Sequence, residues 1–212
     1  MKPTLVITGG KGDIAQAIKK ALQEEHRVLT PGKDELDVTD RINIKGYFKR
    51  NKPVLLINNA GYIKPEPIQQ SSVDEWIQQV NVNLIGMYLC TREAIRNGCK
   101  MIVNIGSSAG SHGKPFWSAY CASKRAVVSF TESLDAEGIT AVCISPGRTN
   151  TKMRHQLFPG EDPKGLMTPE EFAMAVRTIL QRIRYLQGQD IIVKKENNQI
   201  VGYIYKKVKQ YV

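Results

Sequence analysis

Long apolar runs are missing from this chain of 212 residues: nowhere do 18 apolar residues follow one another, so no membrane-spanning helix is expected. Cysteine is scarce. The four thiols, Cys90, Cys99, Cys121 and Cys143, fall at no metal-ligand spacing and sit in apolar company. That argues for reduced, mostly buried thiols and against a zinc site or a disulfide framework. Internal repeats, low-complexity segments and interdomain linkers are also absent, which excludes solenoids and tandem modules and leaves one domain over residues 1–212. Met1-Lys2-Pro3-Thr4 runs straight into an apolar strand and not into a signal-peptide core, so a cytoplasmic protein is expected.

Acidic residues are in the minority, 20 against 30 Lys and Arg, for a net charge of +10. Part of the excess gathers late, where Arg182, Arg184, Lys194, Lys195, Lys206, Lys207 and Lys209 meet only Asp190 and Glu196. Basic domains can bind nucleic acid, but no nucleic-acid motif accompanies this charge. A solvated lysine-rich surface is the plainer reading, with some charge available to a phosphate-rich cofactor.

What is present alternates. Residues 4–8 (TLVIT) form an apolar, β-branched run, followed by glycines and then by helical spacing at Ile14, Ala17, Ile18, Ala21 and Leu22. A second strand is expected at 27–30, and further apolar runs occupy 54–57, 101–105 and 139–145. Helices are expected from 73 onward (Trp76, Val80, Leu84, Met87), over 118–136, and from the Thr168-Pro169-Glu170-Glu171 start to about 185. Strands alternating with helices specify an α/β Rossmann fold: a doubly wound parallel sheet with helices on both faces. Two β-rich runs, 190–194 and 200–205, flank Asn197-Asn198 and predict a C-terminal β-hairpin. Residues 152–167, with Phe158, Pro159, Gly160 and Pro163, read as an irregular loop that covers a substrate.

Candidate chemistry gathers at the carboxyl ends of these strands, where open α/β sheets bind ligands. The turn Gly9-Gly10-Lys11-Gly12-Asp13-Ile14-Ala15 suits a pyrophosphate, because glycines permit close backbone approach and the helix starting there offers free N–H groups. After the second strand an acidic residue would receive ribose hydroxyls, yet none stands at Thr30, Pro31, Gly32 or Lys33. Lys11 and Lys33 instead put positive charge where a 2′-phosphate would lie, so NADP(H) is favoured over NAD(H). Ser107 follows the 101–105 strand, while Tyr120 and Lys124, four apart, share one helix face. An ammonium near a phenol favours the phenolate, which moves the tyrosine pKa toward working pH and suits it to acid–base catalysis. Phe116 and Trp117 read equally as pocket wall or core.

Ser107, Tyr120 and Lys124 at these spacings resemble the catalytic Ser, Tyr and Lys of the short-chain dehydrogenase/reductase family, and further motifs occur in that family's order. Thr8-Gly9, Gly12 and Ala15 resemble the TGxxGxx(G/A) turn of its extended and sugar-nucleotide-reducing members, not the TGxxxGxG form. Asn58-Asn59-Ala60-Gly61 resembles the cofactor-lining NNAG, and Asp37-Val38 resembles a pair beside the adenine. Asn81-Val82-Asn83-Leu84 resembles NVNL, whose second Asn, here Asn83, joins a proton relay. Pro146 to Thr151 resembles the PGxxxT loop at the nicotinamide.

The resemblance implies hydride transfer between a nicotinamide nucleotide and a small carbonyl or alcohol substrate. Tyr120 would donate the proton in reduction, Ser107 hold the substrate oxygen, Lys124 lower the tyrosine pKa and hold the ribose, and Asn83 position a water reaching solvent. Together with the turn chemistry it implies cofactor contacts at Gly9, Lys11, Gly12, Asp13, Ile14, Lys33, Asp37, Val38, Asn59, Ala60 and Gly61. Tyr120, Lys124, Pro146, Gly147, Thr149 and Thr151 complete that set. A homodimer or homotetramer is implied as well. The alternative is a non-enzymatic NADP(H)-binding redox sensor or scaffold, whose mark would be loss of Ser107, Tyr120 or Lys124; all three are present. Two features depart from the family: the crossover after the second strand is compressed, and the tail forms a hairpin in place of the usual strand and Asp-Gly-Gly segment.

Overall fold

In the computed structural model, which describes residues 2–204, the apolar runs become strands of one seven-stranded sheet. These are β1 (Thr4–Ile7), β2 (Arg27–Leu29), β3 (Leu55–Asn58), β4 (Met101–Ile105), β5 (Thr140–Pro146), β6 (Asp190–Glu196) and β7 (Gln199–Ile204). Their order is β2-β1-β3-β4-β5-β6-β7, and every pairing is parallel except that of β7 with β6. Successive side chains point to opposite faces. Leu5, Ile7, Ile57, Val103 and Ile144 pack on one face, and Val6, Leu56, Ile102 and Ala141 on the other. Burial on both faces is why the strands read as unbroken apolar runs. Helices α1 (Asp13–Leu22) and α7 (Pro169–Leu180) cover the first face through Ile18, Leu22, Phe172 and Val176. Helices α2 (Arg41–Asn51), α4 (Gly86–Arg96) and α5 (Ser118–Ala136) cover the second through Ile44, Phe48, Cys90, Ala94 and Leu134.

From β1 the chain steps outward to β2, then returns past β1 to β3. The connections leaving β1 and β3 therefore diverge, and a crevice opens at the strands' carboxyl ends. The turn after β1 is drawn tightly against its neighbours there. Gly9 has φ +66, and a Cβ on it would stand 2.8 Å from the Ala60 Cα; one on Gly10 would stand 2.1 Å from the Thr30 carbonyl oxygen. Only glycine fits both demands.

Four readings change. Residues 41–51, given no element from the sequence, form α2. Asp40 starts it by accepting from the Ile42 and Asn43 amides at 2.8 and 3.0 Å, but Ile44, Tyr47 and Phe48 are its only buried residues, a weak periodic signal. The helix from residue 73 is not uniform: α3 (Val73–Val80) passes through a π-helical stretch, Asn81–Ile85, before α4. The 152–167 segment is not irregular throughout. It contains α6 (Lys152–Leu157), capped by the Thr151 hydroxyl at the Arg154 amide (3.1 Å), and a 3-10 turn at Pro163–Gly165. No α6 side chain is buried, so no apolar periodicity marked it. Finally, α7 begins as read, with Thr168 and Glu171 in a reciprocal capping box, but ends at Leu180, and α8 (Ile183–Leu186) turns Ile183 into the core.

The hairpin forms as expected. Asn197 and Asn198 carry φ +47 and +64 between β6 and β7, the left-handed pair that a two-residue hairpin turn requires. Tyr205, expected at its end, lies outside the described residues, as do Lys206, Lys207 and Lys209.

Candidate active site

Tyr120 is the third residue of α5 and Lys124 lies one turn on, so the helix itself puts phenol and ammonium on one side. Ser107, two residues past β4, accepts from the Ala109 amide at 3.1 Å and so starts the 3-10 turn Ser108–Gly110. That turn is pressed onto α5: a Cβ on Gly110 would stand 2.9 Å from the Lys124 carbonyl oxygen. Lys124 is 3% exposed, donates to the Ile105 carbonyl at 2.8 Å, and holds Nζ 5.7 Å from the Tyr120 ring centroid.

The direction expected for the tyrosine pKa is reversed. Burial pushes the Tyr120 hydroxyl up, and the hydrogen bond with Ser107 opposes that rise without cancelling it. The Lys124 ammonium is engaged by the Ile105 carbonyl, and burial lowers its own pKa to about 8. Without nucleotide, Tyr120 is thus a protonated phenol beside a lysine that gives up its proton readily.

A stability prediction follows from Lys124. Its folded pKa is depressed, so below about 8 both states are protonated and the burial cost is fully present; as pH rises toward 10.5 only the unfolded chain keeps the proton, and stability rises. Denaturant unfolding of nucleotide-free wild type and Lys124→Met at pH 7 and pH 10 should show the difference moving toward wild type by about 2–3 kcal/mol. The buried thiols Cys90 and Cys99, whose raised pKa values act oppositely at high pH, are common to both proteins. A pH-independent difference would refute the burial effect.

Asn83 sits in the π-helical stretch, fully buried, with both ends of its amide taken. Its Oδ1 accepts from the Tyr62 amide (2.8 Å), and its Nδ2 donates to the Tyr62 carbonyl (2.8 Å) and to Ser123 Oγ (3.2 Å). These bonds hold the 59–62 loop beside Lys124: a Cβ on Gly61 would lie 3.5 Å from Asn83 Oδ1 and 3.9 Å from Lys124 Nζ.

Two adjoining cavities meet at Tyr120. One is floored by the glycine turn and bounded by Gly9, Lys11, Gly12, Asp13 and Ile14, by Asn59, Ala60 and Gly61, and by Lys124, Pro146 and Thr151. The other is bounded by Ser107, Gly147 and Thr149 and continues toward Trp117 and Arg154. The first fits a dinucleotide on two counts. Gly12 gives the start of α1 no side-chain cap, so its first N–H groups are available to an anion, and the glycines leave the floor open. Lys33, Asp37, Val38 and Asn83 line neither cavity. Val38 packs instead on α4, where a Cβ on Gly86 would come 2.7 Å from its carbonyl oxygen. Thr149 and Thr151 use their hydroxyls locally, on the Gly147 carbonyl and the Arg154 amide. Trp117 is a cavity wall, while Phe116 points outward, 59% exposed.

The sequence reading passed over Asp34. Lys11 Nζ pairs with its carboxylate at 2.8 Å, and Lys33 faces Asp37 at 3.7 Å, so both lysines counted toward a 2′-phosphate already have acidic partners. A glycine-rich loop leaves no periodicity from which such a partner can be found.

Residues 4–162 match the family model described as short chain dehydrogenase. The chain belongs to that family. It is an NAD(P)-dependent oxidoreductase of short-chain dehydrogenase type. A 3-oxoacyl-(acyl-carrier-protein) reductase of Haemophilus influenzae is 29% identical over 198 residues, covering 86% of this chain and 78% of its own. The 2-dehydro-3-deoxy-L-rhamnonate dehydrogenase (NAD(+)) of a Sphingomonas species is 32% identical over 160 residues, covering 69% and 62%. The ligand-free aldohexose dehydrogenase of Thermoplasma acidophilum superposes with a TM-score of 0.78 at 25% identity, over 90% of this chain and 92% of that one. A putative gluconate dehydrogenase from Agrobacterium tumefaciens gives 0.81 at 22%, a likeness of fold, over 91% and 94%. Among the described residues, no helix is long and apolar enough to cross a membrane.

Proposed function

We propose that this oxidoreductase reduces the carbonyl group of a small molecule, with Tyr120 as the general acid, and that it takes NADP(H) in preference to NAD(H). The observation that carries the reading is the convergence of Ser107, Tyr120 and Lys124 on the wall between the two cavities. The bound nicotinamide supplies a hydride to the carbonyl carbon and is thereby oxidised. Ser107 holds the carbonyl oxygen, and Tyr120 gives that oxygen its proton, so the product is the alcohol. Lys124 holds the ribose and passes a proton back to Tyr120. Asn83, its amide taken up by Tyr62 and Ser123, acts on this relay by holding the 59–62 loop beside Lys124. Donors fixed in advance at a developing alkoxide are a large contribution to catalysis.

The nucleotide preference rests on Lys11 at the cavity edge. Its pair with Asp34 is exposed, with 76% and 66% of the two side chains accessible, and exposed pairs contribute little. A 2′-phosphate carries more charge than the carboxylate and draws Lys11 away from it. Fluorescence titration should give NADPH a Kd at least about tenfold below that of NADH, a difference of 1.4 kcal/mol, and Lys11→Ala should erase most of the ratio. Equal or tighter binding of NADH would assign Asp34 to the ribose hydroxyls and overturn the preference. The protein acts in the cytoplasm, a reading supported by four free cysteines. It assembles as a homodimer or homotetramer, for which exposed Ile77 and Tyr88 on α3 and α4 are available.

A further inference from the structure

The cavity beside Ser107 and Tyr120 has walls of two kinds. One is aromatic and apolar: Trp117, edge-on to Tyr120 with centroids 5.7 Å apart, lines it together with Met153 and Leu157, and Phe158, which does not line the cavity, packs on the Trp117 ring at 6.1 Å. The other is cationic, formed by Lys114, Arg148 and Arg154.

These cations are not balanced. Arg154 is committed to structure, with Nε and Nη2 each 2.6 Å from a Glu161 carboxylate oxygen and its guanidinium 3.8 Å from the Phe158 centroid. Among the described residues Arg148 pairs only with the same carboxylate, at 3.6 Å, and its side chain is 64% exposed. One carboxylate therefore serves two guanidiniums. Lys114 forms no salt bridge among the described residues; its Nζ lies over the Trp117 ring, 4.9 Å from the centroid. Partial burial and then the positive charge of Arg154 and Arg148 hold the Lys114 pKa below its usual value. A pocket wall with surplus like charge is relieved by an anionic ligand.

We propose that the substrate is an anionic carbonyl compound, an oxo acid, whose carboxylate is received by Lys114 and Arg148 while its apolar part lies against Trp117. The inference rests on the reductase reading for the reaction but not for the binding. Reduction turns the oxo acid into the hydroxy acid, with the hydride on carbon and the Tyr120 proton on oxygen.

Benzoylformate, benzoylacetate and 3-benzoylpropionate, each paired with its methyl ester, place the carboxylate at three distances from the ketone. Binding is read from Trp117 fluorescence with saturating NADP+ in a Trp76→Phe background, since the chain has two tryptophans. At least one acid should bind about tenfold more tightly than its ester. Lys114→Met should remove that preference while leaving ester binding in place, Arg148→Met should reduce it several-fold, and added salt should weaken the acid alone. Equal binding of acid and ester, no acid binding, or a preference that survives Lys114→Met would overturn the proposal. Turnover of the same compounds separates the two claims. Lys114-dependent acid binding with no NADPH oxidation by any acid or ester removes the reductase reading and leaves the anion site. Turnover of esters and acids at equal kcat/KM does the reverse.

Discussion

Tyr120→Phe is expected to lower kcat for carbonyl reduction by about 10²–10⁴-fold, the range for losing a positioned general acid. The substitution removes one hydroxyl and keeps the ring, so the edge-on contact with Trp117 and the packing of α5 persist. Because burial raises the Tyr120 pKa, the wild-type group is protonated across the neutral range and already in the form that reduction requires. The loss should therefore appear in kcat, with the NADPH Kd unchanged within about threefold, as expected for a group acting mainly in the transition state. Steady-state kinetics beside a nucleotide titration make the check. Activity within about tenfold of wild type, a tenth of the expected minimum effect, would remove Tyr120 from the acid role.

The second large effect is on stability. Phe172 in α7 is fully buried in the core that joins α1, α7 and the first face of the sheet. Phe172→Ala combines lost transfer energy with a residual cavity and is expected to cost about 3–5 kcal/mol. A domain of this size has roughly 5–15 kcal/mol in total. At about 2–4 °C per kcal/mol, Tm should fall by roughly 6–20 °C. Thermal and denaturant unfolding measure it, and a shift under about 2 °C would mean that α7 is not anchored through this ring.

Much of this molecule is legible in one dimension. The β-branched runs read as buried strands because both faces of a parallel sheet are covered. The glycine turn is visible because Gly9 and Gly10 meet backbone atoms at distances that exclude a Cβ. Tyr120 and Lys124 declare a shared face through helical spacing alone, and Asn197-Asn198 declares a hairpin turn because asparagine tolerates left-handed backbone. Less is legible where the signal is weak or distributed. Helix α2 shows three buried residues and α6 none, so neither leaves an apolar period. The π-helical stretch at Asn81–Ile85 comes between two ordinary helices, and its pattern runs on through both.

The sequence alone determined the α/β class, the strands that end in motifs, and the residue types gathered at their carboxyl ends, because periodicity, glycine conformation and spacing are local properties. The tertiary structure decided the rest: that Lys124 faces the Ile105 carbonyl, that burial raises the Tyr120 pKa against the expected fall, that Asn83 clamps Tyr62, that Asp34 holds Lys11, and that Glu161 is shared between Arg148 and Arg154. Desolvation and ion pairing depend on which distant segments come within a few ångströms, and only the folded chain fixes those distances.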